Sequence, residues 1–178
     1  RQKFSQQLQT VSHQWKFTFF RENGQWQKIT KLWETPADLK VPESVLFYPE
    51  GKVLFVSEID GEPGAKDKKG SIARLGLDGK ILNAEWATEL NAPKGMGIYR
   101  QTLYVAYVDE VVAIDLETGK VTGRIPVDGA GFLNDITVSN RGVVYVSDSK
   151  TGKVHRVEKG VVSTFLENQD GINGLLVV

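Results

Sequence analysis

Two short strand-like phrases recur in fixed order along this chain, and their recurrence narrows the possible folds more than any other feature. The first appears at Glu43-Ser44-Val45-Leu46-Phe47, Lys94-Gly95-Met96-Gly97-Ile98 and Asn134-Asp135-Ile136-Thr137-Val138. The second follows each by nine or ten residues, at Val53-Leu54-Phe55-Val56-Ser57, Leu103-Tyr104-Val105-Ala106-Tyr107 and Val144-Tyr145-Val146-Ser147-Asp148. A fourth copy of the first phrase is Asn173-Gly174-Leu175-Leu176-Val177. A period of roughly 40 to 50 residues, carried by strands, is the pattern of β-propeller blades, four-stranded sheets set around a central channel. The predicted fold is all-β, with inner strands near 44–47, 95–98, 135–138 and 174–177.

The rest of each repeat fits that plan. Third strands are predicted at 71–75, 111–115 and 153–157, and fourth strands at 81–87, 121–125 and 161–166. Asp78-Gly79, Thr118-Gly119 and Lys159-Gly160 supply the turns between them. Alternation in Ile72, Arg74 and in Val154, Arg156 suits half-buried strands. One insertion, residues 60–70, is too polar and too rich in Gly and Pro for a strand. It reads as a loop, either a solvated surface turn or a flap at one mouth of the channel.

Residues 1–35 stand apart from the repeats, which occupy 36–178. Alternation over Trp15–Phe20 and Trp26–Trp33, with Asn23-Gly24 between, predicts a hairpin of two or three strands. Three repeats and one further inner strand do not close a ring. Two readings follow: part of a six-bladed propeller, or four blades completed by the N-terminal strands.

Composition excludes several classes. Lys plus Arg and Asp plus Glu both number 22, so the net charge is zero and nucleic acid has no basic footprint to bind. Apolar runs are strand-sized, too short for a membrane helix. Cysteine is absent, which removes disulfides, thiolate metal sites and cysteine nucleophiles. The chain starts at Arg1, and a periplasmic or secreted location follows if a signal peptide has been removed.

The chemistry-bearing residues emerge from the repeat frame. Glu43, Lys94, Asn134 and Asn173 open the four copies of the inner strand, at intervals of 51, 40 and 39 residues. Repeat symmetry brings such positions around one axis at one mouth of the channel. A carboxylate and two amide oxygens suit a hard divalent cation such as calcium, held by Glu43, Asn134 and Asn173. Lys94, in the same frame, would repel a cation and suits an anionic group of a substrate. Taken singly, Glu43 reads as a loop carboxylate, the asparagines as turn caps and Lys94 as a solvated lysine.

Pro42-Glu43-Ser44, Leu133-Asn134-Asp135 and Ile172-Asn173-Gly174 resemble the metal-site motifs of the senescence marker protein/gluconolactonase-like propellers. The strands around Gly142-Val143-Val144-Tyr145-Val146-Ser147-Asp148 resemble NHL-type repeats. The resemblance implies a six-bladed propeller with one divalent cation in its channel, and lactone or phosphoester hydrolysis in some members. Glu43 matches the family's glutamate ligand, and Asn134 and Asn173 match asparagine positions. Lys94 departs from the pattern, and no residue matches the family's aspartate ligand.

Two functions are therefore expected: a metal-dependent hydrolase of the lactonase or esterase type acting on a small molecule, or a non-catalytic propeller that binds a small ligand or a protein. The insertion at 60–70 with Trp15 and Trp26 would offer the contact surface in the second case. Other constellations point elsewhere than to a site. His13 and His155 have no partner at metal spacing. Gly95-Met96-Gly97 lacks the third glycine of a dinucleotide fingerprint, because Arg100 occupies that place. Asp148, just after a second strand, is expected to fasten a loop by accepting backbone N–H groups.

Overall fold

A computed structural model describes residues 19–22, 25–28 and 31–177, and for 19–28 the backbone pairing alone. The chain divides into two compact units, 1–34 and 35–178. In the first, β1 (Phe19–Glu22) pairs antiparallel with β2 (Gln25–Lys28), and Glu22 opposite Gln25 leaves the Asn-Gly pair between them. Residues 31–33 carry no strand, so the alternation through Trp33 overstates the strand there. Residues 15–18 and the Trp26 side chain lie outside what is described.

The second unit consists of three four-stranded antiparallel sheets, each in simple sequence order. Blade 1 is β3 (Pro42–Tyr48), β4 (Val53–Glu58), β5 (Gly70–Gly76) and β6 (Ile81–Leu90). Blade 2 is β7 (Met96–Tyr99), β8 (Thr102–Ala106), β9 (Glu110–Asp115) and β10 (Val121–Pro126). Blade 3 is β11 (Leu133–Val138), β12 (Val144–Asp148), β13 (Lys153–Glu158) and β14 (Val161–Leu166). The turn chemistry is as the sequence predicts. Lys159 and Gly160, with φ of 52° and 79°, form the mirror-image turn that a two-residue hairpin requires.

Period-two alternation gives each sheet two faces, and the faces stack. Phe55 and Ile72 of blade 1 pack with Met96, Leu103, Val105 and Ile114 of blade 2. Ala106 and Val111, on the other face of blade 2, pack with Leu133, Ile136, Val144 and Val146 of blade 3. Each buried Leu, Ile or Val contributes about 1.5–3 kcal/mol, so these two cores hold the unit together. The outer face of blade 1 is also apolar. Val45 and Phe47 are exposed there beside Leu54 and Val56, their cross-strand neighbours.

The inner strands approach closely at the axis, which explains the paired glycines of blade 2. A Cβ on Gly97 would lie 2.6 Å from Val138 Cγ2, and one on Gly95 would meet the Asp135 backbone at 2.6 Å. These glycines serve packing. The fourth inner-strand copy departs from expectation. Residues 173–177 run beside β11 without forming a ladder; the N–H groups of Leu175 and Val177 donate to the Asp135 carboxylate and the Thr137 hydroxyl. Among the described residues, no antiparallel second strand pairs with them.

Candidate functional site at the channel mouth

The frame that carries Glu43, Lys94 and Asn134 is set by the residue that ends each second strand. In blade 1 that residue is Glu58, 2% exposed, whose carboxylate accepts the Lys40 N–H at 2.6 Å and the Ser71 hydroxyl at 2.9 Å. In blade 3 it is Asp148, which accepts N–H groups from Gly131, Phe132, Lys150 and Thr151 at 2.7–3.2 Å. Lys40 and Gly131 both lie three residues before the frame position, so each acid anchors the segment entering an inner strand. Burial would push the Asp148 carboxyl up, but these donors outweigh it and hold the group below its ordinary value. Asp148 thus fastens a loop, as its position in the sequence predicts.

Blade 2 has Tyr107 at this place. Its ring is buried, its hydroxyl has no partner among the described residues, and burial pushes the phenol pKa up. Here the anchoring falls to Lys94. Its side chain, 1% exposed, donates to the carbonyls of Pro63 at 2.8 Å and Ala92 at 3.0 Å, with Nζ 4.5 Å from the centre of the Phe132 ring. Lys94 is therefore a buried lysine whose ammonium is enclosed by two carbonyls and an aromatic face, and the solvated reading does not hold. Burial lowers its pKa to about 8, against the opposing pull of Glu43.

A second recurrent device shapes the mouth. Inner strands β3 and β11 each shift register beside the frame position, between Pro42 and Ser44 and between Leu133 and Ile136. A serine from the neighbouring strand bridges each irregularity. Ser57 Oγ accepts the Ser44 N–H at 3.1 Å, and Ser147 Oγ accepts that of Asp135 at 2.9 Å. Blade 2 has Ala106 at the equivalent position and a regular ladder, its N–H donating to the Gly95 carbonyl at 2.9 Å.

The sequence-selected residues then fall as follows. Glu43 lies on β3, exposed at the mouth. Partial desolvation raises its pKa; Lys94 lowers it and Asp135 raises it, so the three charges share one field. Asn134 is half-buried on β11, and its backbone carbonyl accepts the Gly95 N–H at 2.9 Å. Asn173 is exposed, next to Gly174, where a Cβ would lie 3.9 Å from Asp135 Oδ2. Asp135 is the residue the frame argument passed over. It is half-buried, its Oδ2 accepts the Leu175 N–H at 2.7 Å, and it joins β11 to the segment that carries Asn173. Its signal was present: it occupies the position of Ser44 and Gly95, directly beside the selected asparagine.

Among the described residues, no group of three or more His, Cys, Asp or Glu is placed to hold a metal ion. The side chains of Glu43, Asn134, Asp135 and Asn173 carry oxygen atoms that could act as ligands. Beyond the mouth, a cavity of ≈ 810 Å³ runs along the inner strands, lined by Leu46, Tyr48, Ile98, Tyr99, Val138 and Leu176 among others.

No protein-family model and no curated protein sequence matches the chain. Solved structures do. One is a nidogen/laminin complex, with a TM-score of 0.60, 17% identity, and coverage of 78% of this chain and 52% of that one. A gluconolactonase from Xanthomonas campestris has a TM-score of 0.59 at 18% identity, covering 86% and 55%. The aldose sugar dehydrogenase of Streptomyces coelicolor, in its PQQ-bound form, has a TM-score of 0.55 at 17% identity, covering 72% and 50%. The chain spans about half the length of these structures. Likeness at this level of identity shows the fold, and that fold is the β-propeller.

Proposed function

We propose that the channel mouth binds a small molecule for hydrolysis of the lactonase type, assisted by a hard divalent cation. What supports this reading is that Lys94 lowers and Asp135 raises the Glu43 pKa, so residues at the start of all three inner strands act on one carboxyl. Carboxylate and neutral amide oxygens fit calcium or a similar hard ion. Glu43, Asp135, Asn134 and Asn173 are the residues that would hold it. A bound cation polarises an ester carbonyl or lowers the pKa of a water molecule. The chain's own contribution is the setting: burial and then the Asp135 charge raise the Glu43 pKa, and Lys94 opposes them. The likeness to a gluconolactonase agrees with this reading at the level of fold.

Calorimetric titration of calcium into the protein, followed by a panel of sugar lactones with and without chelator, tests it. The expected result is calcium binding that falls at least about tenfold in both Glu43→Gln and Asp135→Asn, with turnover abolished by chelator. No calcium binding and no lactone turnover would overturn it.

A second reading is favoured by Lys94, whose enclosed ammonium is not free to meet a substrate anion. On this reading the protein is a binding propeller whose ligand occupies the apolar, tyrosine-bearing cavity along the inner strands. Ligand affinity would then be indifferent to chelator and to Glu43→Gln.

A further inference from the structure

The loop between β4 and β5 reaches the start of inner strand β7, where the Pro63 carbonyl meets Lys94. It turns at each end through a residue in the left-handed region, Asp60 with φ of 46° and Lys68 with φ of 59°. Residues other than glycine adopt that region rarely, so each of the two points marks a sharp turn in the chain. Between them, 61–64 and 66–69 are exposed. The segment has its own internal turn, the Ala65 N–H donating to the Glu62 carbonyl at 3.0 Å.

Its ties to the rest of the unit are unequal. Lys66 pairs with Asp109 of blade 2, but both side chains are about half exposed, at 55% and 45%. The Lys68 N–H donates to Asn91 Oδ1 at 3.1 Å, also exposed. Exposed pairs of this kind hold little. The tie from Lys94 to the Pro63 carbonyl differs. It is charge-assisted, its donor is 1% exposed, and the same ammonium is held by Ala92 and Phe132. Asp60, at the start of the segment, is tied to Lys40 by its N–H at 3.2 Å and its carboxylate at 3.3 Å; beyond that point, one withdrawn bond and two exposed ones describe a cover with a latch.

We propose that residues 60–69 form a lid on the channel mouth, hinged at Asp60 and Lys68 and latched by the Lys94 ammonium on the Pro63 carbonyl. Lys94 acts as a positioning residue, present in the frame to hold the lid. That the lid governs access to Glu43 rests on the reading of the mouth given above; the latch itself does not.

Native-state hydrogen exchange tests the lid directly. In the unaltered protein, the hydrogen-bonded amides of Ala65 and Lys68 should exchange by local opening, at rates insensitive to low denaturant, while Val105 and Val146 should respond to it. Exchange of the loop amides only through the denaturant-sensitive global opening would overturn the lid. In Lys94→Met, Ala65 and Lys68 should exchange at least about tenfold faster, as expected for loss of one charge-assisted bond. Val105 and Val146 should change less than about twofold. Unchanged loop exchange, or equal acceleration everywhere, would overturn the latch. Should Lys94→Met fail to fold, the denaturant series on the unaltered protein decides the lid by itself. Neither measurement involves calcium or a lactone, so the lid and the channel chemistry stand or fall separately.

Discussion

A single hydroxyl, that of Ser147, closes both sides of the Asp135 peptide: it accepts the Asp135 N–H at 2.9 Å and donates to the Asp135 carbonyl at 3.4 Å. Ser57 does the same for Ser44 at 3.1 and 3.5 Å. Ser147→Ala should leave the half-buried Asp135 N–H without its hydroxyl partner and cost about 1 kcal/mol. Ser57→Ala should cost less, its contacts being longer. Ala106→Ser should destabilise as well, because blade 2 has no broken ladder for the hydroxyl to mend. Urea denaturation checks all three: the midpoint should fall with the slope unchanged. A neutral Ser147→Ala would mean that the register shift finds its own partners.

Gly97 tests the close approach of the inner strands. Gly97→Ala should cost about 1–3 kcal/mol by overpacking against Val138. Paired with Val138→Ala, the two changes should be non-additive, the second relieving the first. Additive losses in thermal or chemical denaturation would place the strain elsewhere.

Asp148 holds four backbone N–H groups from two segments. Asp148→Asn should cost about 2–3 kcal/mol, because the amide cannot accept at every position the carboxylate does. The loss should appear in hydrogen exchange first at Gly131 and Phe132.

His155 gives stability a pH dependence of known sign. Burial holds its pKa below the ordinary 6.5, with Lys153 acting in the same direction and Asp148, 3.7 Å away, opposing. The folded protein therefore binds this proton more weakly than the unfolded chain does. The stability it contributes is full above about pH 6.5 and is lost as the pH falls from there through the depressed folded value. Asp148, whose pKa is also depressed, adds a further loss only at lower pH, below the ordinary carboxylate value of 3.8. Denaturation midpoints at pH 7.5 and 5.5 should differ in the unaltered protein and converge in His155→Gln. In Asp148→Asn, NMR titration should place the His155 pKa lower still.

What the sequence disclosed and what it hid divide along a physical line. Strands such as Val144–Asp148 were legible because alternation and turn residues are local, and the hairpin at Lys159-Gly160 needed only its own two residues. Asp148 was legible for the same reason: two of its four donors are Lys150 and Thr151. Lys94 was not. What encloses it is the carbonyl of Pro63, 31 residues away, together with a ring from blade 3, and no local pattern records either. Asp135 was hidden differently. Its backbone matched the repeat, but its carboxylate is defined by Leu175, 40 residues on. The frame Glu43, Lys94, Asn134 could be read as positions; the partners that give each one its chemistry could not.

Val105 and Ala106 are consecutive, both fully buried, and belong to different cores. Blade 2 thus lends one face to each neighbour, and neither outer blade touches the other's core. In such a stack, cooperativity passes only between nearest neighbours. Of the two cores, opening blade 1 or blade 3 forfeits one, and opening blade 2 forfeits both. The order of loss under rising denaturant follows from that asymmetry: among the described strands, the amides of β8 are the last to meet solvent.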